Sequence, residues 1–401
     1  MKTESTGRQF LVRPGGLLGS IPVAAAMPEE NLAVGGMGGS VVEDAYTPAQ
    51  PDQTPKHHIE FAVCGMSHDH IYSMIGAVQR GGGELVAAWG GEEDKLAQFS
   101  RRYPTAKIAR TQEEILENPG VQLVLTSQIP DERAGISIRA MRQGKDVLSD
   151  KPGMTTLEQL AEIRKTIAES GRIYAIFYGE MLEVKAAVCA GELVRKGAIG
   201  KVIQTINIAP HQVVQHGGDA GGASPRPAWF YDPDKYGGIL CDIGSHQADQ
   251  FLYYTGSKQA EVVESQVANI RHPQYPRFQD FGDMVLRGDS GLGYVRLDWF
   301  TPDGLGTWGD GRLFILGTDG YIEIRKYTDV AVNQRGNNLF LVDSKQARYI
   351  DCNNMPLPFG PQFVADIVNR THDAQDPQEC LLATELVLKA QRNAAFVTLK
   401  D

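Results

Sequence analysis

The chain has 401 residues, 42% apolar and 8% aromatic, with a formal net charge of −10 at pH 7. That length exceeds one ordinary domain and predicts two folded units plus extras. The acidic balance argues against nucleic acid as the main partner, and the lack of any run of about 18 apolar residues argues against a membrane-spanning helix. The five cysteines are Cys64, Cys189, Cys241, Cys352 and Cys380; none forms a C-x-x-C pair, which argues against a zinc ribbon or disulfide framework and predicts reduced, buried thiols.

Residues 1–55 read as an export-signal-like segment followed by a linker or extended arm. Arg8 and Arg13 precede a weakly apolar Gly/Ala-rich run and then Ala24, Ala25 and Ala26, which is the order of a charged start, an apolar middle and a small-residue cleavage site. Arg8, Gln9, Phe10 and Leu11 resemble a twin-arginine signal, with Gly7 where the first arginine belongs. Export to the periplasm is one expectation; a disordered arm on a cytoplasmic protein is the other. The Gly- and Pro-rich stretch that follows reads as linker.

Residues 56–177 alternate strand and helix signals. Short apolar runs at "IEFAVCG", Glu84–Gly90, Val121–Ser127, "KDVLSDKPG" and Arg172–Tyr178 predict buried strands. Between them, "HIYSMIGAVQR", "EEDKLAQFSRRYP" and "PDERAGISIRAMRQG" carry helical spacing, and Thr111/Glu114 and Thr156/Gln159 predict caps. Such alternation predicts a doubly wound parallel sheet, with ligands beyond the carboxyl ends of its strands.

The first strand-to-helix turn reads Gly65-Met66-Ser67-His68-Asp69-His70. Only the first glycine of a dinucleotide fingerprint is present. Ser67 is small enough for a phosphate to approach the backbone, and His68 or His70 adds a donor. The second strand ends in Gly90 and Gly91, then Glu92 and Glu93. A glutamate there binds ribose hydroxyls and repels a 2′-phosphate, favouring NAD, with NADP as the alternative.

Further on, "SDKPGMTT" (Ser149–Thr156) places Lys151 before a loop-stiffening proline, and "GGILCDIGSHQADQFLYY" (Gly237–Tyr254) places Asp242 and His246 one turn apart. Three uses suit that pair. Asp242 or Ser245 caps a helix running to Tyr254; Asp242 and His246 ligate a metal, although zinc needs further ligands; or the pair moves a proton. Proton transfer is preferred, and no metal is expected at this pair.

"DKPG", "GGILCDIGSHQADQ" and their order resemble the Gfo/Idh/MocA oxidoreductases, from about Ile59 to the C-terminus. Asp150 stands where that family's motif has glutamate. The resemblance implies a Rossmann dinucleotide-binding domain (56–177) followed by an α+β substrate-binding and oligomerisation domain (178–401). The second domain is expected to have a large, mostly antiparallel open sheet, which agrees with the strand-like runs "GKVIQTINIAP", "QAEVVESQVANIR", "FGDMVLRGDSGLGYVRLDWF" and "RLFILGTDGYIEIRKY". It implies catalytic roles for Lys151, Asp242 and His246, and a homodimer or homotetramer built through the sheet. The expected cofactor-facing set is Gly65, Met66, Ser67, His68, His70, Gln128, Asp150, Lys151 and Pro152. Glu180, His211, Arg226 and Trp229 are the substrate-pocket candidates; Glu183, His216 and Trp308 are weaker ones.

The expected activity is NAD(P)-dependent hydride transfer at a secondary alcohol carbon of a sugar, cyclitol or polyol. The alternatives are a redox-neutral sugar enzyme with retained NAD(H), which an export signal favours, and a non-catalytic sugar or cofactor sensor, against which the full Lys151/Asp242/His246 set argues.

Overall fold

The structure, a computed structural model, describes residues 42–43, 55–216, 223–224, 226–331 and 335–399. The signal-like run before residue 42 lies outside them, and no helix among the described residues is long and apolar enough to cross a membrane.

Apolar runs punctuated by glycine form the first sheet. Its six strands are all parallel, in the spatial order Lys107–Ile108, Gly83–Trp89, Ile59–Cys64, Leu123–Thr126, Asp146–Asp150, Tyr174–Phe177. In the central strand, Ile59, Phe61 and Val63 face one buried cluster and Ala62 and Cys64 the other. This is why the run is apolar throughout instead of alternating. Strand order reverses on either side of Ile59–Cys64, so a crevice opens where the turn Gly65–Asp69 leaves that strand. Thr111 Oγ1 accepts from Glu114 N and Thr156 Oγ1 from Gln159 N, as the capping signals predict. Lys107–Ile108 carries too few residues to register as a strand in the sequence.

The second sheet has ten strands in the order Val42–Glu43, Ala347–Asp351, Asn338–Asp343, Gly320–Arg325, Arg312–Gly317, Val202–Pro210, Leu292–Asp298, Phe281–Gly288, Ala260–Ala268, Ala395–Phe396. Pairing is antiparallel except at both edges and between Val202–Pro210 and Leu292–Asp298. Four strands went unread in the sequence: Asn338–Asp343, Ala347–Asp351 and the edge strands Ala395–Phe396 and Val42–Glu43, the last inside the expected linker. Each is short, six residues or fewer.

The predicted helix over Gly237–Tyr254 is two helices, Ile239–Asp242 and Gly244–Thr255, joined at Ile243. The capping expectation is corrected as well. Neither Asp242 nor Ser245 accepts from the helix N-terminus; the Ser245 hydroxyl donates 3.0 Å to the Asp242 carbonyl. The break frees the Asp242 carboxylate from the helix.

Helices Gly244–Thr255 and Pro377–Asn393 pack on each other over the sheet's inner face. Helix Phe359–Asn369 instead returns to the first sheet's core, where Phe359, Phe363, Val364 and Ile367 lie among Met74, Ala77 and Val78. Burying each large side chain there contributes roughly 1.5–3 kcal/mol. Gly360 makes the approach possible: a Cβ on it would lie 1.8 Å from the Ala77 carbonyl oxygen.

Candidate active site

The two sheets meet at a cavity of about 430 Å³. Its nucleotide-side wall is the turn after Ile59–Cys64 and the loop after Asp146–Asp150; its far wall is the helix pair broken at Ile243 and the loops around His211 and Trp299. Lys151, Asp242 and His246, ninety residues apart in sequence, all line it.

Lys151 Nζ donates 2.6 Å to Asp242 Oδ1, an ion pair spanning the two halves. Lys151 is joined to Pro152 by a cis peptide bond. Arg133, itself buried, steadies the loop by donating to the backbone carbonyls of Asp150 and Lys151. Burial alone would raise the Asp242 carboxyl; Lys151 overcomes this and holds it below its usual range. His246 is 2% exposed. Burial drives its imidazole well below the ordinary value of 6.5, with the positive Lys151 and the neighbouring His70 adding to the effect. The ring is therefore a neutral proton acceptor at physiological pH. Its Nδ1 is buried with no partner among the described residues.

The far wall carries a buried polar network. Glu180 Oε2 accepts from Lys326 Nζ at 2.6 Å and Gln247 Nε2 at 3.0 Å, and Lys326 also donates to Gln250 Oε1 at 3.1 Å. Burial opposes the Glu180 charge, yet Lys326 brings its carboxyl down to about 2. His211 Nε2 lies 4.0 Å from the other Glu180 oxygen, and its ring packs on Trp299 and Trp308. The indole Nε1 atoms of Trp229 and Trp299 are buried without partners among the described residues, and both rings line the cavity. Arg226 lines the cavity too, but its Nε and Nη2 donate to the carbonyls of Val213 and Gln212 while its guanidinium stacks over Phe230. These bonds brace the loop that carries it at the cavity wall. The side chain of His216 lies outside what is described.

Lys326, Trp299 and Tyr327 were not anticipated. Each sits in or beside a strand whose sequence reads as sheet; the fold brings Trp299 and Tyr327 to the cavity and sets Lys326 behind it against Glu180.

On the nucleotide side, Gly65 has φ +98°, and a Cβ there would meet the Gln128 side chain at 2.6 Å. The backbone N–H groups of Ser67, Asp69 and His70, at the start of helix His70–Arg80, meet no acceptor among the described residues. They form a helix N-terminus ready for an anion. Ser67 Oγ donates 2.6 Å to Glu92 Oε2, which places the strand-end carboxylate beside the turn. Turn, free N–H groups and acid together fit a dinucleotide. Met66 points its side chain into the core and Gln128 is buried behind the turn, so neither side chain lines the cavity. His68 and His70 line it, and both donate toward Asp150: His68 Nδ1 is 2.8 Å from Oδ2 and His70 Nδ1 2.9 Å from Oδ1.

Comparison with known proteins agrees with this arrangement. Residues 59–178 match the oxidoreductase family with an NAD-binding Rossmann fold, and residues 189–323 match the GFO/IDH/MocA C-terminal domain. The chain belongs to the GFO/IDH/MocA oxidoreductase family. A protein of Erwinia carotovora atroseptica SCRI1043, whose solved structure carries only a provisional oxidoreductase assignment, is 42% identical, superposes with a TM-score of 0.80, and covers 85% of this chain and all of its own. The scyllo-inositol 2-dehydrogenase (NAD(+)) of Bacillus subtilis (strain 168) is 23% identical over 306 residues, 73% of this chain and 82% of that enzyme. The 1,5-anhydro-D-fructose reductase of Ensifer adhaerens is 24% identical over 196 residues, and the match spans 47% of this chain and about half of the reductase, 54%. Within the family frame, the Lys-Pro loop and the Asp242/His246 motif stand where the two sheets meet.

Proposed function

We propose that this family member is an NAD(P)-dependent oxidoreductase acting on a secondary alcohol carbon of a sugar, cyclitol or related polyol. The observation that carries this is the Lys151–Asp242 pair, 2.6 Å across the junction of the two sheets, beside the neutral, unpartnered His246. When bound, the nicotinamide supplies or accepts the hydride. The chain's own residues manage the oxygen. His246 takes the hydroxyl proton as the carbonyl forms, which its depressed pKa permits at neutral pH. Lys151 donates to the same oxygen and stabilises its developing charge. Asp242 holds Lys151 in place. Glu180 and the two indole N–H groups bind further hydroxyls, and Trp308 stacks on the apolar face of a ring.

Glu92, beside the turn, favours NAD over the 2′-phosphorylated cofactor. Mixing the protein with NAD or NADP and a panel of sugars and cyclitols, and following nicotinamide reduction, tests the reading. Turnover is expected with at least one polyol and greater efficiency with NAD; no reduction with any, while cofactor binds normally, would count against it.

Two further assignments belong to the same reading. The export-signal-like segment within residues 1–55 directs the chain to the periplasm, which fractionation of cells expressing the full chain checks; recovery in the cytoplasmic fraction alone would count against it. The outer face of the second sheet builds a dimer or tetramer. A single row across it reads Val285, Tyr294, Ile206, Phe314, Glu323, Phe340, Tyr349, and none of these is buried. Light scattering should show an oligomer that Ile206→Glu dissociates.

A further inference from the structure

Three departures from the family pattern meet at one place. His68 and His70 replace turn positions that a dinucleotide fingerprint gives to other residues, and Asp150 replaces a glutamate eighty residues on. In the fold the shorter Asp150 arm sits between the two imidazoles. The three ligand atoms lie within 4.8 Å of one another, with each histidine Nδ1 within 2.9 Å of a separate carboxylate oxygen.

We propose that His68, His70 and Asp150 form a binding site for a divalent transition metal of the zinc, cobalt and nickel class. Two imidazoles and one carboxylate are a donor set these ions prefer. Metal–ligand bonds of about 2.0–2.2 Å call for ligand spacings of roughly 3.3 Å, so the two His–Asp pairs, at 2.8 and 2.9 Å, need to part by a fraction of an ångström, and spacings within the set that reach toward 4.8 Å need to close as the side chains turn toward one ion. Neutral imidazoles need only exchange the Nδ1–H tautomer for the Nε2–H one to present a lone pair. Asp150 is already steadied from outside: Arg133 Nη2 lies 3.1 Å from Oδ2, the kind of outer hydrogen bond that ligating carboxylates carry. Both histidines line the 430 Å³ cavity, so the remaining coordination positions open to water or to ligand hydroxyls and the ion has an entry path. Asp242 and His246, the pair at which no metal was expected, take no part. Nothing in this inference requires the oxidoreductase reading to hold.

The test uses the full chain stripped of metal and free of cofactor. Titration with Co²⁺, followed by its visible d–d absorption, should show one ion per chain, displaced by Zn²⁺. His68→Ala and His70→Ala should each weaken binding by at least about tenfold, the lower end of what even outer-shell changes cost. His58→Ala, in a His-His tandem outside the cavity, should change nothing. Both target side chains are partly exposed, at 22% and 35%, and thermal melts verify that the variants fold. In the wild type, hyperfine-shifted proton resonances from two imidazoles give a readout that needs no variant. The proposal is overturned if Co²⁺ produces no d–d bands, or if both alanine variants bind it as the wild type does.

Discussion

The two walls of the cavity follow different rules. The substrate-side wall has its charges closed into pairs: Asp242 with Lys151, which reaches it from the opposite wall, and Glu180 with Lys326. The nucleotide-side wall departs from the family pattern at His68, His70 and Asp150, and its histidines stay partly open to the cavity. The contrast is one of work: the substrate-side charges are spent on each other, whereas the nucleotide-side turn offers backbone N–H groups. A group that moves a proton inside a closed site tolerates little change, because an unpaired buried charge is costly. A turn that binds an anion through backbone N–H groups leaves its side chains free to acquire other work.

The largest effect is expected on the closed wall. His246→Gln should lower kcat/KM for polyol oxidation by about 10²–10⁴-fold, the usual contribution of a positioned acid–base group, measured in the steady state with cofactor saturating. Lys326→Met removes the lysine partner of the buried Glu180 and leaves it only His211 Nε2, 4.0 Å from its other oxygen, as an ion-pair contact among the described residues. It should destabilise the fold by about 3–5 kcal/mol in chemical denaturation, and the double change with Glu180→Gln should recover much of that loss. If Lys326→Met alone is neutral, the closed-wall description is wrong.

Acid should act on both walls. Burial holds His68 and His211 at about 4, below the ordinary 6.5, and His70 adds to the effect on His68. The folded state resists protonating them while the unfolded chain does not. Their contribution is therefore fully present above pH 6.5 and is lost as pH falls from 6.5 through about 4. The melting temperature should decline across that window, and His211→Gln should flatten the decline. The Glu180 contribution, with its pKa at about 2, is lost only below the usual carboxylate range. The open wall should respond least: His70→Ala should weaken cofactor binding by about tenfold, the lower end for one charge-assisted hydrogen bond, read by fluorescence titration with NADH.

Most of the first sheet was legible in the chain, because buried parallel strands are continuous apolar runs and their helices carry caps such as Thr111 and Thr156. The second sheet was less so. Asn338–Asp343 is a four-residue apolar run between polar ends, and Ala347–Asp351 is mostly half-buried with Arg348 inside it, so no period of two stands out in either. At the site, Lys151, Asp242 and His246 were readable because motif and order identify them. Lys326 was not: a lysine at the end of a strand run looks like surface until the fold buries it against Glu180. The helix break at Ile243 was equally hidden, since Gly244 and Ser245 look like an ordinary first turn. The link between His68, His70 and Asp150 needed the fold, because only parallel pairing of the strands brings position 150 beside the turn.

The central claim is that Lys151, Asp242 and His246 together oxidise an alcohol carbon. The most direct measurement supplies a substrate polyol deuterated at the reacting carbon, together with oxidised cofactor, and follows the label by mass spectrometry. The account predicts deuterium on the reduced nicotinamide with wild-type protein, and its loss with Lys151→Ala in a variant that still folds and binds cofactor. Label transfer undiminished in Lys151→Ala, or substrate oxidised with no label reaching the cofactor, would contradict it.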